Sequence, residues 1–193
     1  MIIVGRTGSG KTHHVMYDLI PSLTRSGRRV MYWNGGHEDY HVDGAIWVDG
    51  YDNSRDILYA LYNRKMVVIY NPAYEQQTAN HELEYIRRLL MSGDNSAPIS
   101  MIVDEAARYA PQGSIDTPLH ILATGGRRWG IQLVCICQRI ADLSKTIATQ
   151  ASTWRLLDHS QIDSDYLRHR GISLSDDEIA RLKVPYTYID KQA

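Results

Sequence analysis

The residues best suited to chemistry come almost at once. "GRTGSGKT", residues 5–12, sets glycines around a lysine and a hydroxyl side chain in the spacing G-x-x-x-x-G-K-[ST]. In a strand–loop–helix context this spacing turns successive backbone N–H groups into one concavity, and Gly8 and Gly10 permit the dihedrals and the close approach that an oxyanion demands. The chemistry is polyphosphate binding. Gly5, Arg6, Thr7, Gly8, Ser9, Gly10, Lys11, Thr12 and His13 would form the cradle, with Lys11 reaching the β and γ phosphates and the Thr12 hydroxyl on Mg²⁺.

Two further stretches supply what a hydrolase adds to such a cradle. In "ISMIVDEA", residues 99–106, an apolar run ends in Asp104 and Glu105, and the carboxyl ends of strands are where open α/β sheets place their ligands. Asp104 is placed to hold magnesium through water, and Glu105 to polarise an attacking water. The run "GIQLVCICQR" ends at Gln138, whose neutral amide can bond both a γ-phosphate and a lytic water and so report on the phosphate. His37 and His41 stand four apart in the loop "NGGHEDYHVDG", without the helix or third ligand that a zinc site requires. Of His13 and His14, one is expected to pack while the other faces solvent or nucleotide.

Positioning these groups requires a sheet. Short apolar runs alternate with helical patterns, the sequence form of a mostly parallel sheet flanked by helices. The expected strands are 1–4, 29–33, 45–48, 66–70, 99–103, 131–136, 153–157 and 186–189, and several run apolar without alternation, as centrally covered strands do. The first helix starts inside the glycine motif, carries Val15, Leu19 and Leu23 on one face and ends at Gly27. A second, Asn80 to Met91, turns Leu83, Ile86 and Leu90 inward and stops at Gly93. "SDDE", residues 175–178, reads as a capping box ahead of Ile179 and Leu182. All 193 residues are expected to form a single α/β domain.

Composition narrows the partners. The chain has 22 acidic and 21 basic residues, so no global positive field gathers nucleic acid, and any DNA contact must be local or made by a ring of subunits. Cys135 and Cys137, two apart in an apolar strand, read as core thiols on one face. No apolar segment approaches the roughly 20 residues needed to span a bilayer, and no signal-peptide pattern opens the chain. A soluble, intracellular protein is expected.

Together these segments resemble the FtsK–HerA superfamily of DNA-pumping P-loop ATPases. "DEAARYAP" is similar to the HerA-type sequence DEAHRYAP, with Ala107 in place of the histidine. "GRRWGIQLVCICQR" resembles the glycine–arginine helix end and sensor strand, with Ile140 where FtsK-like members usually carry proline. "TIATQASTWRLL" followed by "QIDSDYLRHRG" resembles the segment that ends a strand with an arginine offered to the neighbouring subunit. With strand 1 opening at Met1, the chain looks most like the minimal genome-packaging ATPases of icosahedral viruses with an internal membrane.

The resemblance implies a RecA-like (ASCE) P-loop NTPase fold, ATP and Mg²⁺, and a homo-oligomeric ring, usually a hexamer, on double-stranded DNA in the host cytoplasm. Docking on a capsid vertex or membrane protein, and association with the virion, would follow. It implies Arg155 as the arginine acting on a neighbour's γ-phosphate, with Arg87 or Arg88 of "ELEYIRRLL" as the alternative and Arg127 and Arg128 at a subunit boundary. Arg108 and "YAPQGSIDTP" would couple hydrolysis to a pore loop, whereas the basic cluster Arg168 to Gly171 reads as a helix end. The rival readings are a cellular HerA-like DNA-processing motor, a Zot-like phage assembly ATPase and a small-molecule or nucleoside kinase. Glu105 disfavours the kinase, for which water attack is a side reaction.

Overall fold

The computed structural model describes residues 1–40, 42–50, 67–92 and 98–192. The calls on His41, on the start of the strand at Met66 and on Gly93 as a helix stop fall outside these residues. Eight strands form one sheet: β1 (Ile2–Val4), β2 (Arg29–Trp33), β3 (Ile46–Asp49), β4 (Val67–Asn71), β5 (Ile99–Val103), β6 (Ile131–Cys137), β7 (Thr153–Leu156) and β8 (Ile189–Gln192). Their spatial order is β3-β4-β2-β5-β6-β1-β7-β8, and all neighbours run parallel except β7 and β8. Seven strands therefore end at the same edge, which is why residues far apart in sequence can meet there.

Both faces of the sheet are covered, matching the unbroken apolar runs. On one face Ile3, Tyr32, Ile69, Ile102, Val134 and Ile136 pack with Val15, Met16, Leu19 and Ile20. On the other, Val4, Met31, Trp33, Met101, Val103, Cys135 and Cys137 pack with Leu83, Ile86, Leu90, Leu119 and Leu122. The two cysteines share a face as the period-two spacing requires, and burial pushes the Cys135 thiol up to about 12.

The helix after the glycine motif is not uniform. It runs as α1 (Lys11–His14), a π turn (Val15–Leu19) and α2 (Ile20–Arg25), with Gly27 in the left-handed region beyond its end. The π turn was invisible in the apolar spacing because Val15 and Leu19 stay buried in either geometry. Helix α3 (Gln76–Ser92) begins a turn before the expected start and buries Leu83, Ile86 and Leu90. The short helices α4 (Ala106–Tyr109), α5 (Pro118–Gly125), α6 (Lys145–Gln150), α7 (Gln161–Arg168) and α8 (Asp176–Leu182) fill the remaining connections. The capping box forms: the Glu178 amide donates to Ser175 Oγ at 3.2 Å, and the Ser175 amide donates to Glu178 Oε2 at 2.9 Å.

The last strand is displaced from its expected position. Residues 186–189 alternate like a strand, yet pairing begins only at Ile189, antiparallel to β7 with Ile189 opposite Leu156. Pro185 and a left-handed Tyr186 (φ 63°) turn the chain first. Because β8 runs against β7, Tyr186 and Tyr188 emerge at the edge that carries the glycine motif.

Candidate functional site

The sheet order builds the site. Strand β6 lies between β1 and β5, so its terminal Gln138 falls between the glycine loop that follows β1 and the carboxylates that follow β5. Thr7 Oγ1 donates to Gln138 Oε1 at 3.0 Å, and Gln138 Nε2 donates to Glu105 Oε1 at 2.9 Å. The three sequence motifs thus form one hydrogen-bonded chain across three strands. Gln138 Nε2 is the atom that could donate to a phosphoryl oxygen, and Oε1 the one that could accept from a water.

The glycines have steric reasons. A Cβ on Gly5 would lie 2.5 Å from Ser9 Oγ and 2.9 Å from Leu157 Cβ; one on Gly10, already at φ 90°, would lie 2.7 Å from Tyr186 Cδ1. Lys11 is buried, and its Nζ donates to the carbonyls of Gly5 (2.7 Å) and Arg6 (3.0 Å), pointing back across the loop. Burial lowers its pKa, while the charges of Asp104, Glu105 and Glu38 work the other way.

Asp104 is buried at 6 % exposure. Its Oδ2 accepts from the Tyr32 hydroxyl at 3.0 Å, and its Oδ1 from the Glu105 amide at 2.9 Å. Burial raises its pKa to about 6 against these two bonds, and among the described residues no basic nitrogen forms an ion pair with it. A buried carboxylate left in that condition suits a hydrated divalent cation, with the half-buried Thr12 hydroxyl as its partner. When bound, Mg²⁺ would neutralise phosphate charge at this point.

Glu105 itself sits in the left-handed region (φ 51°, ψ 42°), a strained backbone for a residue of this kind, which turns its carboxylate towards Gln138. Glu38 approaches from the loop after β2: the Asn34 amide donates to its carbonyl at 2.9 Å, and Asn34 Oδ1 accepts from its backbone N–H at 3.3 Å. A buried asparagine thus fixes the loop that carries a further carboxylate.

The expected arginines divide. Arg155 is held within its own chain: Nε and Nη2 donate to the two oxygens of Asp190, both at 2.6 Å, Nη1 donates to His14 Nε2 at 2.6 Å, and its guanidinium lies 4.2 Å from the Tyr188 ring centre. Because arginine only donates, His14 must accept at Nε2 and carry its proton on Nδ1, which bonds Asp18 Oδ2 at 2.8 Å. Burial lowers the His14 pKa accordingly. His14 is the histidine that packs, and His13 the exposed one.

Arg87 and Arg88 both bond Glu84, whose carboxyl the Arg87 bonds hold down at about 2, but Arg88 is 72 % exposed and Arg87 only 14 %. Arg127 and Arg128 lie in the turn before β6, at the opposite edge of the sheet, where Arg127 and Arg28 line a 580 Å³ recess remote from the motifs. Arg108 is tied to Tyr74 and Gln76, and the Arg168–Gly171 cluster closes α7 as its helix-end reading requires.

Sequence reasoning missed three groups. Tyr32 lies inside an apolar run and gave no signal. Asp158 did: it follows β7 as Asp104 follows β5, and it pairs with Arg6 (2.8 Å) and Lys183 (2.6 Å) beside a 280 Å³ recess against Thr7, Gly8 and Ser9. Burial opposes the Asp158 charge, yet those two bonds hold its pKa below the usual range. Tyr186 was taken for a strand residue.

A mostly parallel sheet whose first strand feeds a glycine–lysine loop, with two carboxylates after the next strand but one, defines a P-loop NTPase fold. No protein-family profile and no curated protein sequence matches the chain. Solved structures do. The genome-packaging NTPase B204 of Sulfolobus turreted icosahedral virus 2 is similar over 99 % of this chain: its ATP-γS complex at TM-score 0.74, 17 % identity and 90 % of that chain, and its sulfate complex at 0.76, 16 % and 89 %. EssC from Geobacillus thermodenitrificans (ATPases 2 and 3) matches at 0.55 with 14 % identity, across 99 % of this chain and 37 % of that one. The expected fold and the resemblance to packaging ATPases are borne out at the level of architecture.

Proposed function

We propose that this protein is an ATPase that hydrolyses ATP to move double-stranded DNA, packaging a viral genome as a homo-oligomeric ring. The observation that carries the hydrolase reading is the chain Thr7–Gln138–Glu105, which ties the phosphate loop to a carboxylate suited to activating water. The loop from Gly5 to His13 binds the phosphates, and Lys11 swings from the loop carbonyls to the β and γ oxygens. Thr12 and Asp104 hold Mg²⁺. Glu105 orients and polarises the attacking water, and Gln138 moves its Nε2 donation from Glu105 to the γ-phosphate while its Oε1 still accepts from Thr7, so that phosphate release is felt by both neighbours.

The packaging reading is supported by similarity to B204, a genome-packaging NTPase. Any DNA contact would be to phosphates, since a packaging motor must move every sequence. A neighbour's arginine would stabilise the transferred charge; Arg88 is more accessible for that role than Arg155, which its own subunit occupies. The test is an ATPase titration with and without duplex DNA beside a mass measurement in ATP. DNA-stimulated turnover by an assembly is expected; phosphate transfer to a small acceptor without DNA dependence, or full activity from a monomer, would overturn the reading.

A further inference from the structure

The γ-phosphate end of the loop faces Gln138 and Glu105, on the β5–β6 flank. A nucleotide bound there must send its nucleoside towards the other flank, where α1 begins, β7 ends and β8 starts. Three rings stand at that exit. His13, the residue after Lys11 and Thr12, has its ring centre 4.6 Å from Tyr17 and 4.8 Å from Tyr186, tilted by 45° and 49°. Tyr17 is 54 % and Tyr186 63 % exposed, so the clustered rings offer ring faces that a flat ligand could cover.

Tyr186 is also held there against its own backbone preference. Its φ of 63° is rare for an aromatic residue, and its ring lies so close to Gly10 that no larger residue fits in the loop. The neighbouring segment is pinned: Tyr188 packs on His14, with ring centres 4.4 Å apart, and on Arg155, and β8 registers against β7 directly after it. The strained turn therefore delivers one ring from the chain's far end onto the glycine loop.

We propose that Tyr186, His13 and Tyr17 form the platform on which the base of the bound nucleotide stacks. This rests on the reading of the glycine loop as a phosphate site, though not on hydrolysis or DNA transport. Every base has a π-face, so ring stacking favours size over identity, and the platform accepts either purine in preference to a pyrimidine. Tyr186, not the phosphate loop, then sets how far a nucleotide is preferred over bare polyphosphate.

The experiment measures affinities of ATP, GTP and inorganic tripolyphosphate for the full chain and for Tyr186→Ala. The variant is expected to lose about tenfold or more in ATP and GTP affinity, the scale of one base–aromatic contact, with tripolyphosphate affinity unchanged within twofold. Equal losses for all three ligands would mean that Tyr186 only shapes the loop, and no loss would mean that the rings face something else; either overturns the proposal. Loss of assembly with ATP affinity intact would assign the rings to a neighbouring copy and overturn it as well. Should Tyr186→Ala not fold, Tyr186→Trp replaces it: quenching of the added indole by ATP and not by tripolyphosphate is expected, and no difference between them refutes the contact. A wild-type chain that binds ATP in this way but hydrolyses none would sink the motor reading and leave the platform standing.

Discussion

Two polar networks flank the same glycine loop, one mostly of charged groups bonded at 2.6–2.8 Å and one of a hydroxyl, an amide and a carboxylate bonded at 2.9–3.0 Å. On the β7–β8 side, Arg155, Asp190, His14, Asp18 and Tyr188 saturate one another: the guanidinium uses three nitrogens and its flat face, and both ring nitrogens of His14 are engaged. On the β5–β6 side, the exposed Thr7 and Gln138 and the half-buried Glu105 are joined by single bonds, with Glu105 on a strained backbone and Asp104 buried without an ion pair among the described residues. A closed network stabilises the fold, whereas a strained one with unused valence can exchange partners during a reaction. The difference lies in how many hydrogen-bonding positions remain as well as in which amino acids are present.

The sharpest way to break this comparison is Glu105→Gln. The amide retains a group that can bond Gln138 but cannot draw a proton from water, so kcat should fall by about 100-fold or more with nucleotide affinity nearly unchanged. Parallel losses in binding would show that Glu105 supports the loop instead.

Asp104→Asn should expose the cost of the open side. A native carboxyl raised to about 6 binds its proton more tightly than the unfolded chain does, so wild-type stability should fall as pH rises from about 4 to about 6 and stay lower above that. The asparagine oxygen can still accept from the Glu105 amide while its NH2 donates to the Tyr32 hydroxyl oxygen, without the buried charge. In EDTA at pH 7.5 it should be more stable by on the order of 2 kcal/mol, without the wild-type slope in that window, while ATP turnover is lost. Denaturant melts at several pH values would read both effects, and a destabilised variant would mean that the charge is compensated by a group outside this account.

How far the two networks could be read from sequence differs for the same reason. Lys11 is legible from its glycine motif, and Asp104, Glu105 and Gln138 because they come at once after apolar strands, and parallel strands must deliver their ends to one edge. The closed network depends on Asp190, 35 residues beyond Arg155, and on an antiparallel strand that begins three residues after the alternation of "YTYI" suggests. Local pattern cannot register a turn that Pro185 and a left-handed Tyr186 impose, nor a π turn that leaves the buried face unchanged. The resemblance implies Arg155 as an arginine offered to a neighbour, whereas within this chain it bonds Asp190 and His14.

Arg155→Ala should act as a structural lesion. It leaves Asp190 and His14 without their shared donor and Tyr188 without its cation, at a cost of about 1–2 kcal/mol, partly relieved because Asp190 reaches solvent. For a chain of this size that lowers Tm by about 3–6 °C. The comparison sharpens if kcat, measured well below the new Tm, stays within a few-fold of wild type at every protein concentration. A loss of turnover without loss of stability would return Arg155 to the reaction.

Arg88 tests the other half of that statement with the smallest expected change in the fold. It is exposed, and its bond to Glu84 duplicates the pair that Arg87 makes from a more buried position, so Arg88→Ala should alter stability by less than about 0.5 kcal/mol. An arginine that serves a neighbour would nevertheless be missed in the assembly. Mixing Arg88→Ala with Glu105→Gln separates the cases, because each variant then holds the group that the other lacks: activity above the sum of the two alone requires an intact Glu105 site completed by the Arg88 of a different subunit. A purely additive mixture, with Arg88→Ala itself at wild-type rate, would place the transferring arginine elsewhere and leave α3 a solvated helix.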